Sequence, residues 1–210
     1  MSDGYEVYNG IAHSHRLIHL GCWAHARRYF VEAEAVLPKA ARRPDQLATQ
    51  FIAAIARLYA VEVKAKGKAV AERAQLREAA SRPVLAEIQH MLVTHRHSVT
   101  PGSLLGKALH YLEAQWPKLI RYVENGAWPI DNNLCENAIR PFVVGRRNWL
   151  FADTVAGANG SANIYSLIET CKANGVDTYR YLVALFKALP LAKTADDYEQ
   201  LLPWHLTLGD

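Results

Sequence analysis

Apolar residues recur at helical spacing through the middle of the chain. Leu47, Phe51, Ile55 and Leu58 lie at positions i, i+4, i+8 and i+11, which places all four on one face of a helix. Similar patterns follow in the next segments, and they predict that residues 44–125 are wholly helical. Because this block carries few candidate catalytic side chains, we interpret it as an insertion or a packing domain.

Turn signals divide this block into separate helices. Residues 81–83, Ser-Arg-Pro, join a capping residue to a proline suited to a first turn, so one helix is expected to end near Ala80 and another to begin. Residues 101–103, Pro-Gly-Ser, predict the start of a further helix, and residues 125–126, Asn-Gly, predict its end. Pro117 is expected to kink that helix.

The segment before this block carries turn signals and a short apolar run. Residues 17–22 are short and apolar and contain Gly21 near their end, so they predict a buried strand. A helix is expected from Ala24 onwards, with alanine, phenylalanine and valine on its apolar side.

The C-terminal third of the chain predicts a loop followed by helices. Gly157, Gly160 and their small neighbours predict a flexible loop. Residues 163–175 read as an amphipathic helix that ends at an Asn-Gly stop. Asp177 is expected to cap a final helix, and the tail that follows it is expected to be a short docking segment.

Composition places few limits on function. The chain has 210 residues, a formal charge of +4 and a pI of about 9.0, which permits an anionic partner such as nucleic acid without requiring one. Its three cysteines are odd in number and widely spaced, which favours a reducing compartment over a disulfide framework. The sequence shows no signal-peptide pattern and no apolar run near the ~18 residues of a membrane span. The expected setting is therefore the cytoplasm, with no membrane partner.

The stretch DNNLCENAIRPFVVGRRNWLF, residues 131–151, places one carboxylate ahead of a run of arginines. Asp131 is a natural helix N-cap, and either asparagine after it could serve equally. Pro141 cannot donate a backbone hydrogen bond, so this helix is expected to end near Arg140 or to bend there.

Glu136 and Arg140 lie one turn apart on the same side of this helix, whereas Leu134, Ala138 and Phe142 lie on the other side and predict its core face. Two interpretations stay open. In the first, Glu136 and Arg140 form a surface ion pair that contributes roughly 0.3 kcal/mol. In the second, Glu136 ligates a metal ion and the arginines of the stretch bind phosphates.

Two features near the start of the chain also have a structural and a functional interpretation. Asp3 lies in SDGYEVY, where it is either a turn former or a functional acid. In GCWAHARRYF, Cys22 and His25 have the C-x-x-H spacing of zinc ligands, but the second pair of close ligands that such a site requires is absent. Arg27 and Arg28 are either solvated or face phosphates.

Taken together, these segments resemble the insertion-sequence-66 family of bacterial transposases. The match spans nearly the whole chain in the family's order, and the third motif, with its Arg-Asn-Trp-Leu-Phe ending, is specific. The segments that carry the resemblance are residues 3–9, 21–30, 81–85, 131–151, 163–182 and 201–205.

The resemblance implies a DDE-type enzyme with an RNase H-like catalytic core and a helical insertion between the second Asp and the final Glu. The expected fold class is mainly α, with a partial RNase H-like α/β core whose first strands are missing, a large all-helical insertion and C-terminal helices. The implied divisions are 1–30 and 129–190 for the core, 31–128 for the insertion and 191–210 for a C-terminal tail.

The resemblance also assigns roles to single residues. Asp3 would be the second acid and Glu136 the final one, and both would hold Mg²⁺ or Mn²⁺ in a two-metal site. His25 would lie near the scissile phosphate or orient the site. No small-molecule cofactor is expected. The side chains expected to contact DNA are Arg27, Arg28, Arg140, Arg146 and Arg147.

In one respect the chain departs from the family pattern. The family's first catalytic Asp lies on the first strand of the core, upstream of the second, whereas this chain begins two residues before Asp3. We therefore expect a C-terminal part of a transposase that acts on transposon-end DNA, performs little or no strand transfer alone, and associates with itself or with full-length transposase. The alternative is a non-catalytic DNA-binding or assembly protein that modulates a full-length transposase.

Overall fold

The structure, a computed structural model, describes residues 1–149 and 152–206. Leu150 and Phe151, which end the arginine-rich stretch, lie outside the described residues, as do residues 207–210. The described part is mainly helical, as expected, and contains no assigned β-strand. Its α-helices are α1 (Val7–Ser14), α2 (Trp23–Glu34), α3 (Leu47–Ala65), α4 (Val70–His95), α5 (Leu104–Leu119), α6 (Asn133–Trp149), α7 (Val155–Ala173), α8 (Thr178–Ala188) and α9 (Ala195–Gln200).

The chain forms two compact units, residues 1–134 and residues 135–210. Short 3-10 helices add to both units, at Lys39–Ala41, Ile120–Glu124 and Leu189–Leu191. None of the described helices combines the length and the apolar character that a membrane span requires. The RNase H-like core and the division of the chain at residues 30, 128 and 190 stay predictions.

The first unit is organised around one apolar core to which α2, α3, α4 and α5 all contribute. The ring of Phe30 on α2 stacks on that of Phe51 on α3, with centroids 4.5 Å apart. The indole N–H of Trp23 donates a 2.9 Å hydrogen bond to the carbonyl of Leu119, so the start of α2 is fixed to the end of α5. The helix that carries His25, Arg27 and Arg28 is thus part of the same core as the helical block.

A fully buried arginine joins α3, α4 and the segment after α5. The guanidinium of Arg77 donates to both carboxylate oxygens of Glu62, at 2.8 and 2.7 Å. It also donates to the carbonyls of Tyr122 and Asn125, at 2.8 and 2.9 Å, and it lies 5.1 Å from the centre of the Tyr122 ring. With a paired charge and this many acceptors, the cost of burying the guanidinium is compensated.

The expected strand at residues 17–22 is wrong. Leu17 and Ile18 are 58% and 57% exposed, and the described residues contain only an isolated parallel bridge between Ser2 and Gly21. The backbone N–H of Gly21 donates to the carbonyl of Lys118 on α5, 3.0 Å away, rather than to a neighbouring strand. Helix α5 therefore accepts the Gly21 N–H, and the Leu20 carbonyl accepts the Ser2 N–H at 3.1 Å.

The expected helix boundary at residues 81–83 is wrong. Helix α4 runs unbroken through Pro83, because Val84, Leu85 and Ile88 just after it are buried in the core and hold the chain in register. Helix α6 likewise continues through Pro141 to Trp149, so the expected end near Arg140 is wrong, whereas the alternative of a bend there stays a prediction. The expected start at residues 101–103 is confirmed, since the Ser103 hydroxyl accepts the Gly106 N–H at 3.0 Å.

In the second unit, α7 begins earlier than expected. The loop predicted at Gly157 and Gly160 is wrong: both residues lie inside α7, whose start is capped by Thr154 through a 3.0 Å hydrogen bond from the Gly157 N–H. The expected stop is confirmed, because Asn174 follows the helix and Gly175 has a φ of 68°.

The remaining helices of the second unit enclose a small core of Cys171, Tyr181, Leu185 and Leu201. The side chain of Asp177 caps α8 by accepting the Arg180 N–H at 2.8 Å, as expected. Helix α8 is not the final helix, however, because α9 follows it with its own threonine cap. The tail contributes Leu201, whose carbonyl accepts a 2.8 Å hydrogen bond from the Tyr181 hydroxyl.

Candidate active site

Asp3 lies in a turn whose backbone is held by α5. Its Oδ1 accepts the Tyr5 N–H at 3.1 Å, and its carbonyl accepts a 2.6 Å hydrogen bond from the Tyr111 hydroxyl. Gly4 follows with a φ of 98°, and a Cβ at this position would lie 3.2 Å from the side chains of Gln115 and Tyr111. The turn is therefore packed closely on α5, while the Asp3 side chain stays exposed.

The start of α2 presents a buried thiol and a nearly buried imidazole. Cys22 is fully buried at the N-cap position, and burial raises the pKa of its thiol. His25, one turn later, is 8% exposed. Among the described residues, no group of three or more His, Cys, Asp or Glu side chains is placed to hold a metal ion.

Arg27 and Arg28 are both exposed on α2 but lie near different neighbours. Burial, followed by a 2.8 Å hydrogen bond to Asp131, raises the pKa of Tyr59, and the positive charge of Arg27 opposes this shift. Burial also raises the pKa of Tyr111, and Arg28 opposes that shift. Arg27 thus acts on Tyr59, and Arg28 on Tyr111.

Asp131 stabilises the turn that leads into α6. Its carboxylate accepts the Tyr59 hydroxyl at 2.8 Å, and it also accepts the backbone N–H and the side-chain amide of Asn133, at 3.1 and 3.0 Å. Because α6 begins at Asn133, the position immediately before the helix belongs to Asn132, one of the alternatives that the sequence left open. Asp131 caps from one residue further upstream, in an Asx-type turn.

Helix α6 carries the acid and arginines of the specific motif. Glu136 lies in its first turn, and Arg146 and Arg147 in its last, so each charge complements the helix dipole. These three side chains and that of Arg140 are exposed. Of the expected core face, Phe142 packs edge-on against Tyr165 with centroids 5.0 Å apart. Leu134 does not belong to a core, since it is 88% exposed.

The predicted site residues fall in both units. Asp3, His25, Arg27 and Arg28 belong to the first unit, the first in the turn held by α5 and the other three on α2. The residues of the second unit lie along α6: Glu136, Arg140, Arg146 and Arg147.

Comparison with known protein families assigns the chain to a family. Residues 1–160 match the family described as "Transposase IS66 family", and residues 166–204 match the "IS66 C-terminal element". The chain belongs to the IS66 transposase family. The first match includes both Asp3 and Glu136, and the two matches follow each other along nearly the whole chain.

Relatives of this IS66 family member are longer proteins of Sinorhizobium fredii. The uncharacterized protein y4qI is 32% identical over 97% of this chain, which corresponds to 38% of its own length. The uncharacterized protein y4jD is 29% identical over 97% of this chain and 40% of its own length. The chain therefore spans about two fifths of these relatives. No solved structure matches it.

Sequence reasoning missed the tyrosines that hold the two acidic turns of the IS66 domain. Tyr111 and Tyr59 lie in the block interpreted as chemically quiet, yet one binds the Asp3 carbonyl and the other the Asp131 carboxylate. Their partners are 108 and 72 positions away, so no local pattern indicates the contacts. The one available signal is a tyrosine hydroxyl on an otherwise apolar helix face, which usually finds a partner when buried.

Proposed function

We propose that this chain supplies two acids and the phosphate-binding arginines of a DDE transposase, which cleaves and joins DNA strands during transposition. One observation carries the proposal: a single IS66 family match spans both Asp3 and Glu136, and both acids have exposed side chains. Exposure is what a carboxylate needs in order to meet a metal ion and a DNA strand. The RNase H-like arrangement of the family remains part of this proposal.

The donor atoms of Asp3 and Glu136 suit a hard divalent cation such as Mg²⁺ or Mn²⁺, which prefers carboxylate oxygens. In phosphodiester transfer such ions stabilise the attacking and leaving oxygens. The number of ligands does not fit a complete site, because the family pattern uses three acids and the matched motifs supply two. We therefore propose that this chain alone transfers strands poorly.

The cationic residues have roles that do not depend on a metal. Arg27 and Arg28 on α2, with Arg140, Arg146 and Arg147 on α6, are exposed and can bind DNA phosphates independently of base sequence. His25 is only 8% exposed, so its proposed role is to position the start of α2 beside Asp3 rather than to contact the scissile phosphate.

The test is a strand-cleavage assay on DNA that carries the terminal repeats of an IS66 element, with Mg²⁺ or Mn²⁺. We expect little cleavage by this chain. Robust cleavage that is abolished by Glu136→Gln would show that two acids suffice and that the incomplete-site proposal is wrong. Robust cleavage that persists in both Asp3→Asn and Glu136→Gln would refute the catalytic assignment of these acids. Asp153→Asn, at an exposed acid to which no catalytic role is assigned, is the control.

A second candidate is a non-catalytic DNA-binding or assembly protein that modulates a full-length transposase. The exposed apolar side chains of the second unit favour it, since Val155, Tyr179 and Leu191 are 79%, 78% and 76% exposed. Metal dependence separates the two functions. The catalytic role predicts metal-linked stabilisation that is lost when Asp3 or Glu136 is changed, whereas the assembly role predicts salt-sensitive DNA binding that is indifferent to both.

A further inference from the structure

A groove in the first unit collects basic side chains that no predicted site uses. It lies between α1, the segment that follows α1, and the end of α5, and its volume is about 750 Å³. Five of its lining residues are basic, and none of the described residues that line it is an aspartate or glutamate. We call it the basic groove, and its five basic residues are His13, Arg16, His19, Lys118 and Arg121.

We propose that the basic groove binds backbone phosphates of a DNA strand next to Asp3. This inference rests on the proposed function for the identity of the anion, whereas the groove itself is defined by its own side chains. A groove of this volume falls in the range of ~300–1,000 Å³ of ordinary ligand sites. Several cations spread along the groove suit a polyanion better than a single small anion.

The described residues supply no carboxylate that pairs with the arginines or the lysine of the groove. Within the described parts of the chain, Arg16, Lys118 and Arg121 form no ion pair with a carboxylate. Among the described residues, the ammonium of Lys118 donates hydrogen bonds to neutral amide oxygens, those of Asn9 at 2.8 Å and Gln115 at 3.0 Å. These amides orient the ammonium without cancelling its charge, so it remains available to an external anion.

The surroundings in the groove lower the pKa values of two of its basic side chains. Burial, followed by the charge of Lys118, lowers the pKa of His19, and Arg121 acts in the same direction. Burial likewise lowers the pKa of Lys118. An anion bound between these side chains would offset both effects, because it favours their charged forms. The same anion would therefore bind together with a proton wherever His19 is neutral.

The backbone at Arg16 adds an independent observation. Arg16 has a φ of 51°, and it is the only non-glycine residue in the described ranges with a positive φ. This left-handed conformation is unfavourable for a residue with a Cβ, and it ends α1 in a turn from which Arg16 lines the groove. Unfavourable conformations of this kind concentrate at functional sites.

The position of the groove connects it to the candidate active site. The Nε2 atom of His19 lies 2.6 Å from the hydroxyl of Ser2, which directly precedes Asp3. Lys118 lies on α5 one turn after Gln115, the residue against which Gly4 packs. A DNA strand held in the groove would thus lie beside the turn that presents the Asp3 carboxylate.

The test measures binding of fluorescently labelled duplex DNA by anisotropy, without divalent metal, across a series of salt concentrations. The double variant Lys118→Gln/Arg121→Gln removes two groove charges, and Lys64→Gln/Lys66→Gln removes two exposed charges elsewhere in the same unit. We expect the groove variant to lose about tenfold or more in affinity, and its salt slope to fall by about 1.8, as for two lost phosphate contacts. The control should change little.

Arg16→Gly is the third variant, because glycine adopts the left-handed conformation freely and only the side chain is lost. It should also weaken DNA binding while leaving the unfolding temperature unchanged or higher. Groove variants that fold and bind DNA like the wild type would overturn the proposal, as would an equal loss in the Lys64→Gln/Lys66→Gln control.

A parallel arm distinguishes DNA from free phosphate by following thermal unfolding with inorganic phosphate alone. If phosphate stabilises the wild type through Lys118 and Arg121 but the groove variant still binds DNA normally, the groove takes a free anion and the DNA assignment is wrong. Because binding is measured without metal, the outcome is separate from catalysis. A chain that binds DNA through the groove yet shows no metal dependence at Asp3 or Glu136 would refute only the proposed catalytic role.

Discussion

The hydroxyl of Tyr111 on α5 donates a 2.6 Å hydrogen bond to the backbone carbonyl of Asp3, a residue 108 positions earlier in the chain. The ring of Tyr111 also stacks on that of Tyr29 on α2, with centroids 4.5 Å apart. One side chain therefore joins the Asp3 turn, α5 and α2. The position of the candidate catalytic acid depends on the helical block, although none of the predicted catalytic residues lies in that block.

Removing this hydroxyl should loosen the Asp3 turn. Tyr111→Phe keeps the aromatic stack and deletes only the hydrogen bond, so we expect the free energy of unfolding to fall by about 1 kcal/mol. Hydrogen exchange of the backbone amides of residues 2–5 should accelerate, while exchange in the core of α3 and α4 should not. Tyr179→Phe, at a tyrosine that is 78% exposed, is the matched control and should change neither quantity.

The buried arginine of α4 should be the most sensitive charged residue of the first unit. Arg77→Ala leaves the Glu62 carboxylate and the carbonyls of Tyr122 and Asn125 without their donor, so we expect a loss of about 3–5 kcal/mol in urea unfolding. Arg82→Ala breaks only an exposed pair with Glu78 and should cost less than about 1 kcal/mol. Equal losses of unfolding free energy in the two variants would mean that burial of Arg77 does not determine how much it contributes to stability.

Stability should depend on pH through His19. The folded-state pKa of His19 lies below its ordinary value of 6.5, mainly because of burial, so the unfolded chain binds the proton more readily. Its contribution to stability is present above pH 6.5 and is lost as the pH falls through the folded-state pKa. We therefore expect His19→Gln to reduce the loss of unfolding free energy between pH 7.5 and pH 5, measured by urea titration. His15→Gln, at an exposed histidine, should leave that loss as it is in the wild type.

The correct sequence predictions are those that depend on local chemistry. The cap at Ser103, the cap at Asp177 and the stop before Gly175 each involve residues a few positions apart, and all three are present. The wrong ones are places where packing overrides a local signal. Pro83 stays inside α4 because the apolar residues that follow it belong to the core. Gly157 stays inside α7 because Thr154, three residues earlier, caps the start of that helix.

The same distinction between local and distant residues applies to the candidate site. The motifs predict roles for Asp3, Glu136 and five arginines, and these roles stay predictions, although the family match includes the segments that contain them. The groove formed by Arg16, His19, Lys118 and Arg121 was not identified, because two of these residues follow α1 and the other two lie about a hundred positions later. Only the folding of α5 against the N-terminal segment brings them to one surface.

The most direct test of the central claim is metal-linked stability of the Asp3 and Glu136 variants. Thermal unfolding is followed with and without Mn²⁺, in the presence of duplex DNA, for the wild type, Asp3→Asn, Glu136→Gln and the control Asp153→Asn. At a Mn²⁺ concentration a few times its dissociation constant, we expect the ion to stabilise the wild type and the control by roughly 1 kcal/mol. The variants Asp3→Asn and Glu136→Gln should not show this stabilisation. Stabilisation that is equal in all four proteins would contradict the assignment of these two acids as metal ligands.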